Sequence, residues 1–339
     1  MKLLLSLTWI ALLLGVLPRA FGAELINGAG ATFPEPLYSK WFSEFQKVEK
    51  EIRINYQPIG SGGGIQQFLR DTVDFGATDA PMTNEELAKA SRPVLHLPTV
   101  LGAVVVTYNL PGVSAKLQLT GELIAEIYLG KITDWSDAKV KALNPKLNLP
   151  KQPILVVRRS DGSGTTGIFT DYLAKVSAPW KNSVGAGKAV SWPVGLGGKG
   201  NEGVASLVKQ TPGAIGYVEL VYAKTSGLPY AAIQNKAGKF VEASIQGVTA
   251  AAAGSLKMMP ADFRVSITNA EGAGSYPISG FTYLLVYQTM KGEKGKGLVK
   301  FLRWALRDGQ TYAEPMAYAP LPGSLAKKVI AKVDGITIQ

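Results

Sequence analysis

Residues 154–176 read ILVVRRSDGSGTTGIFTDYLAKV, and their pattern decides the fold class. The apolar run Ile154–Val157 predicts a strand, the segment from Asp161 to Thr166 a glycine-rich turn, and Thr166–Val176 a helix. The same alternation recurs along the chain. Strands are predicted at Ile52–Ile59, Gly102–Tyr108 and Phe281–Tyr287, and helices at Pro36–Val48, Ile65–Asp71 and Gly121–Leu129. Strands alternating with helices argue an α/β fold. In Pro36–Val48 the apolar residues Leu37, Trp41, Phe42 and Phe45 keep to one helical stripe, the spacing of a buried face, and Glu35 and Pro36 suit the first turn.

With 339 residues, 46% apolar and 18% charged, the chain can bury a large core and is long enough for two domains. It has no Cys and one His, His96, which excludes thiol catalysis, disulfides, Cys-based metal sites and a lipid-bearing N-terminal Cys. No metal and no cofactor is expected. The start has the layout of a secretory signal peptide: Met1-Lys2, an apolar run Leu3–Leu17, then Pro18-Arg19 and the small-residue stretch Ala20–Ala23. The apolar run is shorter than the roughly 20 residues that span a bilayer, so residues 1–22 are expected to be cleaved near Gly22 or Ala23. The whole chain carries 36 basic and 25 acidic residues, a net charge of +11; the leader holds Lys2, Arg19 and no acid, so the mature chain stays basic at +9. A basic, Cys-free exported protein suits a periplasmic location and an anionic ligand. A nucleic-acid partner would rest on charge alone and is not expected.

Three glycine-rich turns each join a predicted strand to a predicted helix: Gly28–Phe33, Gly60–Gly64 and Asp161–Thr166. A helix N-terminus presents unpaired N–H groups, and glycines let an anion approach the backbone. Any one such turn reads equally as a tight turn with a Ser or Thr cap. Three of them beside the pair Arg158-Arg159 point to a shared oxyanion site. Alternation along the strand sends the two arginines to opposite sides of the sheet, and Asp161 is placed to orient a guanidinium fork. Asp79, in Val73–Pro81, caps a helix near Thr83 on the plain reading. In an oxyanion site it would instead accept the proton that phosphate retains near neutral pH and sulfate lacks. Gly195–Gly200 fits G-x-G-x-x-G but lies late in the chain with no clear βαβ frame, and Gly60–Gly64 lacks the Lys-Ser/Thr of a P-loop. His96, in the apolar run Val94–Pro98, reads as a hydrogen-bonded core histidine. Ser163 lies in Gly-Ser-Gly rather than a nucleophile elbow, and no hydrolase motif is present, so no enzymatic activity is expected. The lysines of 291–300 read as a solvated face.

At these residues the sequence resembles the periplasmic phosphate-binding proteins of phosphate-specific ABC transporters, the PstS family. The resemblance covers essentially the whole mature chain. It rests on Gly-Ala-Gly-Ala-Thr-Phe-Pro at 28–34, Val-Asp-Phe-Gly-Ala-Thr-Asp-Ala-Pro at 73–81, Tyr-Leu-Gly-Lys-Ile at 128–132, Val-Arg-Arg-Ser-Asp-Gly-Ser-Gly-Thr at 157–165, Gly-Leu-Gly-Gly-Lys-Gly-Asn at 195–201 and Pro-Gly-Ala-Ile-Gly-Tyr-Val at 212–218. Leu-Ile-Asn-Gly at 25–28 is similar to the related DING proteins, but the flanking Ala-Gly-Ala-Thr-Phe-Pro favours the transporter group. The resemblance implies a two-domain periplasmic-binding-protein fold, type II-like, with the ligand cleft between the domains. It places domain I at 24–100 plus 271–339, domain II at 101–270, and hinge crossings near Val100 and Glu271. It implies a phosphate site of Thr32, Phe33, Ser61, Asp79, Arg159, Ser163, Gly164 and Thr165, with Asp161 holding Arg159. Gly62, where relatives often carry a second Ser, and Ser160, where Ala is common, depart from the pattern without removing a named residue. The function implied is high-affinity binding of inorganic phosphate by a monomer that delivers it to the membrane permease subunits. Binding of another tetrahedral oxyanion, or a secreted phosphatase, are the alternatives.

Overall fold

The computed structural model describes residues 23–113 and 116–339, so the expected leader 1–22 lies outside the described residues. Eight strands run in the spatial order Ile52–Gln57, Glu24–Gly30, Phe75–Thr78, Ser279–Tyr287, Val94–Tyr108, Ala214–Glu219, Leu155–Arg159, Leu196–Gly198, with Ala319–Pro320 added against Val94–Tyr108. The first three are parallel to one another, and so are the last three. Helices cover the sheet, as the alternating pattern requires.

Val94–Tyr108 is the pivot of the molecule. As far as Ala103 it pairs antiparallel with Ser279–Tyr287, and from Val104 it pairs antiparallel with Ala214–Glu219. The change of partner falls where the Val104 N–H donates to the Ile278 carbonyl at 2.8 Å. One continuous strand here unites the separately predicted runs at Val94–Pro98 and Gly102–Tyr108. A register shift opposite Thr282 and Tyr283 leaves Thr99 unpaired beside Pro98, which has no N–H to give the ladder.

Each half has its own aromatic core. The stripe of helix Glu35–Val48 packs Phe42 and Phe45 on Phe301, and Phe45 on Trp304. In the other half Phe169 stacks on Tyr217 at 4.2 Å between ring centroids, with Tyr128 and Trp192 against them. Of the lysines of 291–300, Lys291 precedes helix Gly292–Ala305 and the others lie on it, where Lys296 pairs with Glu293 and Lys300 with Glu49.

Candidate anion site

The C-terminal ends of both sets of parallel strands face one another, and the residues singled out by the sequence sit there. Thr32 and Phe33 follow Glu24–Gly30, Ser61 follows Ile52–Gln57 at the start of helix Ser61–Leu69, and Asp79 follows Phe75–Thr78. From the other half, Arg159 ends its strand, Ser163 caps helix Gly164–Val176, and Thr165 lies in that helix's first turn. All are buried. Crevices outside the carboxyl ends of parallel strands are where open α/β sheets bind ligands.

Two of the turns touch directly. Ser61 Oγ accepts the N–H of Gly164 at 3.0 Å and that of Asp79 at 3.4 Å, while the Gly62 N–H donates to the Gly162 carbonyl at 2.8 Å. The two faces meet so closely at Gly164 that a Cβ there would lie 2.5 Å from both Asp79 Oδ2 and Ser61 Oγ.

Arg159 and Arg158 point to opposite sides, as the strand alternation predicts. The Arg159 side chain is buried and forked onto Asp161, Nε to Oδ1 at 2.8 Å and Nη2 to Oδ2 at 2.5 Å, with Nη1 3.4 Å from Thr165 Oγ1. Asp161 also accepts the Gly200 N–H at 3.0 Å. Burial alone would raise its pKa, but the Arg159 fork outweighs that and holds the carboxyl below its ordinary range. Three of the five guanidinium N–H groups are thereby committed, leaving one on each Nη.

Asp79 is fully enclosed. Its Oδ1 accepts the Thr282 hydroxyl at 2.8 Å, and Oδ2 has no partner. Burial raises its pKa to about 7, against the opposing effects of the Thr282 hydroxyl and the Arg159 charge. It does not cap the following helix: Thr83 does, in a reciprocal box with Glu86.

The hydroxyls around Asp79 are oriented by their neighbours. Thr32 Oγ1 accepts from Asn201 Nδ2 at 2.8 Å and from the Asn201 N–H at 3.2 Å. Thr165 Oγ1 accepts from Asn201 Nδ2 at 3.2 Å and from Arg159. Ser163 Oγ accepts the Thr166 N–H at 3.0 Å, which is the capping role of the plain reading, and its own N–H goes to the Lys188 carbonyl. Ser61, Thr32 and Thr165 thus have both hydroxyl lone pairs engaged and a hydrogen left to donate. Among the described residues, the N–H groups of Thr32, Phe33, Ser61 and Thr165 donate to no protein acceptor. The assembly is a set of donors around one unpartnered carboxylate oxygen.

Four participants escaped the sequence reading. Asn201 ends the glycine-rich segment 195–201, which does join a strand, Leu196–Gly198, to a helix, Gly200–Gln210. That junction was the available signal. Tyr217 accepts the Arg159 N–H and lies in the quoted stretch 212–218, which gave it no role; Tyr222 donates to the Thr32 carbonyl at 2.5 Å and Thr282 holds Asp79, and neither carries a local motif. His96 is buried, with Nε2 accepting the Met82 N–H at 3.0 Å. Burial lowers its pKa to about 4, helped by the Arg264 charge. A cavity of about 590 Å³ is lined in part by Asp79, and its cations are paired, Lys188 with Glu86 and the Pro81 carbonyl, Arg264 with Asp262, Asn84 and the Met82 carbonyl.

Residues 18–308 match a family model described as a PBP superfamily domain. The chain is 45% identical over 328 residues to the phosphate-binding protein PstS of Pasteurella multocida, an alignment covering 95% of this chain and 94% of that protein. It is 46% identical over 324 residues to PstS of Haemophilus influenzae, covering 95% and 96%. Among solved structures it is similar to PfluDING, a high affinity periplasmic phosphate-binding protein with phosphate bound, at a TM-score of 0.72 and 21% identity over 91% of this chain and 93% of that one. At that identity the likeness concerns the fold, a two-domain α/β architecture with a cleft between the domains.

Proposed function

The chain belongs to the PstS family of phosphate-binding proteins, within the PBP superfamily, and from that premise we propose that it encloses inorganic phosphate between its two lobes and delivers it to an ABC-type permease. One observation carries the reading: buried donors gather with the buried carboxylate of Asp79, whose Oδ2 has no partner of its own. Four oxygens of a hydrogen phosphate accept many hydrogen bonds, and its one proton needs one acceptor. In this reading Thr32, Phe33, Ser61 and Thr165 give N–H groups. Ser163 and the other hydroxyls give O–H groups, Gly164 allows the close approach, and Arg159 gives the two N–H groups that Asp161 and Thr165 leave free. Charge-assisted bonds contribute roughly 1.5–3 kcal/mol each, and micromolar affinity needs only about 8.2 kcal/mol, so the set suffices against desolvation and closure.

The two lobes we propose are 24–100 with 271–339 and 101–270. The change of strand partner at Ala103–Val104, and the Val104 to Ile278 bond, support a hinge a few residues beyond Val100 and Glu271. We assign no turnover: the single histidine is committed to the Met82 N–H, so Ser163 has no imidazole base. Among the described residues no helix is long and apolar enough to cross a membrane, and no group of acids and histidine gathers as a metal site. We propose a periplasmic location, and a monomer without a nucleic-acid partner.

The test is calorimetric titration of the mature, anion-stripped protein with phosphate and then sulfate at neutral pH. Tight one-to-one phosphate binding with no heat from sulfate is expected. Equal binding of the two would give the site to tetrahedral oxyanions at large, and no binding would refute the reading.

A further inference from the structure

Asn201 touches both halves of the site through one nitrogen. Its Nδ2 carries two hydrogens, and they go to two different hydroxyls: Thr32 Oγ1 at 2.8 Å on one half and Thr165 Oγ1 at 3.2 Å on the other. Which end of the amide faces the threonines is fixed from behind. The Glu219 N–H donates to Asn201 Oδ1 at 2.9 Å, and an N–H cannot pair with the amide nitrogen in its place. Glu219 is itself anchored, since its carboxylate caps helix Leu220–Ser226 through the Val221 N–H at 2.6 Å. Asn201 is fully buried, so no water competes for these bonds.

A threonine hydroxyl can turn either a hydrogen or a lone pair toward a ligand. The first attracts an anion and the second repels it. We infer that Asn201 is a positioning residue of the anion site: its amide fills one lone pair on each of Thr32 and Thr165, its own N–H and Arg159 fill the other, and both hydroxyls are left to donate into the site. The inference rests on the phosphate reading and adds to it the element that keeps the ring donors-only. The Thr32 bonds also cross between the halves, so Asn201 completes the arrangement only when the halves meet.

The experiment is a double-mutant cycle read by phosphate calorimetry on the mature protein: wild type, Asn201→Ala, Thr165→Val and the pair. Asn201→Ala is expected to weaken phosphate binding roughly 10- to 100-fold, the range of one to two hydrogen bonds to a charged ligand. In the Thr165→Val background, where one of its two hydroxyls is gone, the same substitution is expected to cost at least about threefold less. A residue that merely supports the fold would cost the same in both backgrounds. Equal costs, or no cost at all, therefore overturn the inference. If Asn201→Ala does not fold, Asn201→Asp, which keeps the shape and the Glu219 contact but offers an acceptor to both threonines, is run through the same cycle with the same criterion. Wild-type protein that binds no phosphate would instead sink the functional reading itself, an outcome visible in the first titration.

Discussion

Asp79 and His96 are buried titratable groups whose environments push them in opposite useful directions. Burial raises Asp79 from 3.8 to about 7, so its contribution to stability is complete below pH 3.8 and is lost as pH rises through about 7. Burial lowers His96 from 6.5 to about 4, so its contribution is complete above pH 6.5 and is lost as pH falls through about 4. Each shift corresponds to something on the order of 3 kcal/mol, and the two oppose one another between pH 4 and 6.5. Relative to wild type, phosphate-free Asp79→Asn is expected to gain stability as pH rises from 4 to 7. His96→Gln, whose amide oxygen can take the Met82 N–H without titrating, is expected to gain as pH falls from 6.5 to 4. Urea unfolding at pH 4.5 and 7 reads both, and a variant parallel to wild type removes the corresponding assignment. Asp79→Asn has a second consequence. Without the carboxylate there is nothing to repel fully ionised sulfate, and sulfate affinity is expected to come within about tenfold of phosphate, where intact discrimination would place selectivity elsewhere. At this scale the chemistry of the residues put forward one of two arginines, Asp161 and Asp79, the family resemblance chose Arg159, and the structure brings the three close together. Asn201, Thr282 and Tyr222 act on those residues from distant parts of the chain, and composition says nothing of which hydroxyl they will reach.

Strand-to-helix turns are the unit from which the site is made, and their glycines are positional. Gly164 opens its helix within reach of the opposite half: an added Cβ would lie 2.5 Å from Asp79 Oδ2 and Ser61 Oγ and 2.6 Å from the Asp79 backbone nitrogen. The last of these cannot swing aside as a side chain can. Gly164→Ala is therefore expected to lower phosphate affinity by about 100-fold or more, while the melting temperature without phosphate moves by no more than about 3 °C, because the clash lies between the halves and not within one. Calorimetry and a thermal melt on the same preparation separate the two effects; wild-type affinity would show that the halves need not meet there. The alternation of strands and helices was readable from local pattern, but the element starts at the site were not. Helix Ser61–Leu69 begins four residues before its predicted start at Ile65, since Gly62, Gly63 and Gly64 carry poor helix propensity that packing overrides. Likewise Val94–Tyr108 read as two runs because Pro98 and Gly102 punctuate it, whereas a bulge at Thr99 carries the strand through.

At the scale of the whole molecule, the division we propose leaves two crossings between halves that meet through polar contacts and through apolar ones such as Ile168 against Gly280. Across the cleft stand the Gly62 to Gly162 backbone bond at 2.8 Å, the Lys188 to Glu86 pair at 2.7 Å and the Arg264 to Met82 carbonyl bond at 2.9 Å. Against them stands the buried, unpartnered Asp79 oxygen, which burial makes costly to ionise. With no ligand to give it a proton, opening restores water to that oxygen; with hydrogen phosphate in place the same oxygen gains a donor. On the function we propose, closure is a population shift that the ligand drives by binding one arrangement better. At Gly62 a Cβ would come 3.1 Å from the Gly162 Cα, tight but tolerable, and longer branches would not fit. Gly62→Val is expected to act as a wedge. In small-angle scattering the wild type should contract when phosphate is added, while the variant keeps its ligand-free radius of gyration until phosphate is raised about tenfold or more, because its apparent affinity falls with the fraction of molecules able to close. Since position 62 lies at the cleft and outside either aromatic core, the variant should unfold at wild-type urea concentrations in the absence of phosphate. A variant that contracts at the wild-type phosphate concentration would mean that the halves close about some other line, and the hinge drawn at Ala103–Val104 would have to be moved.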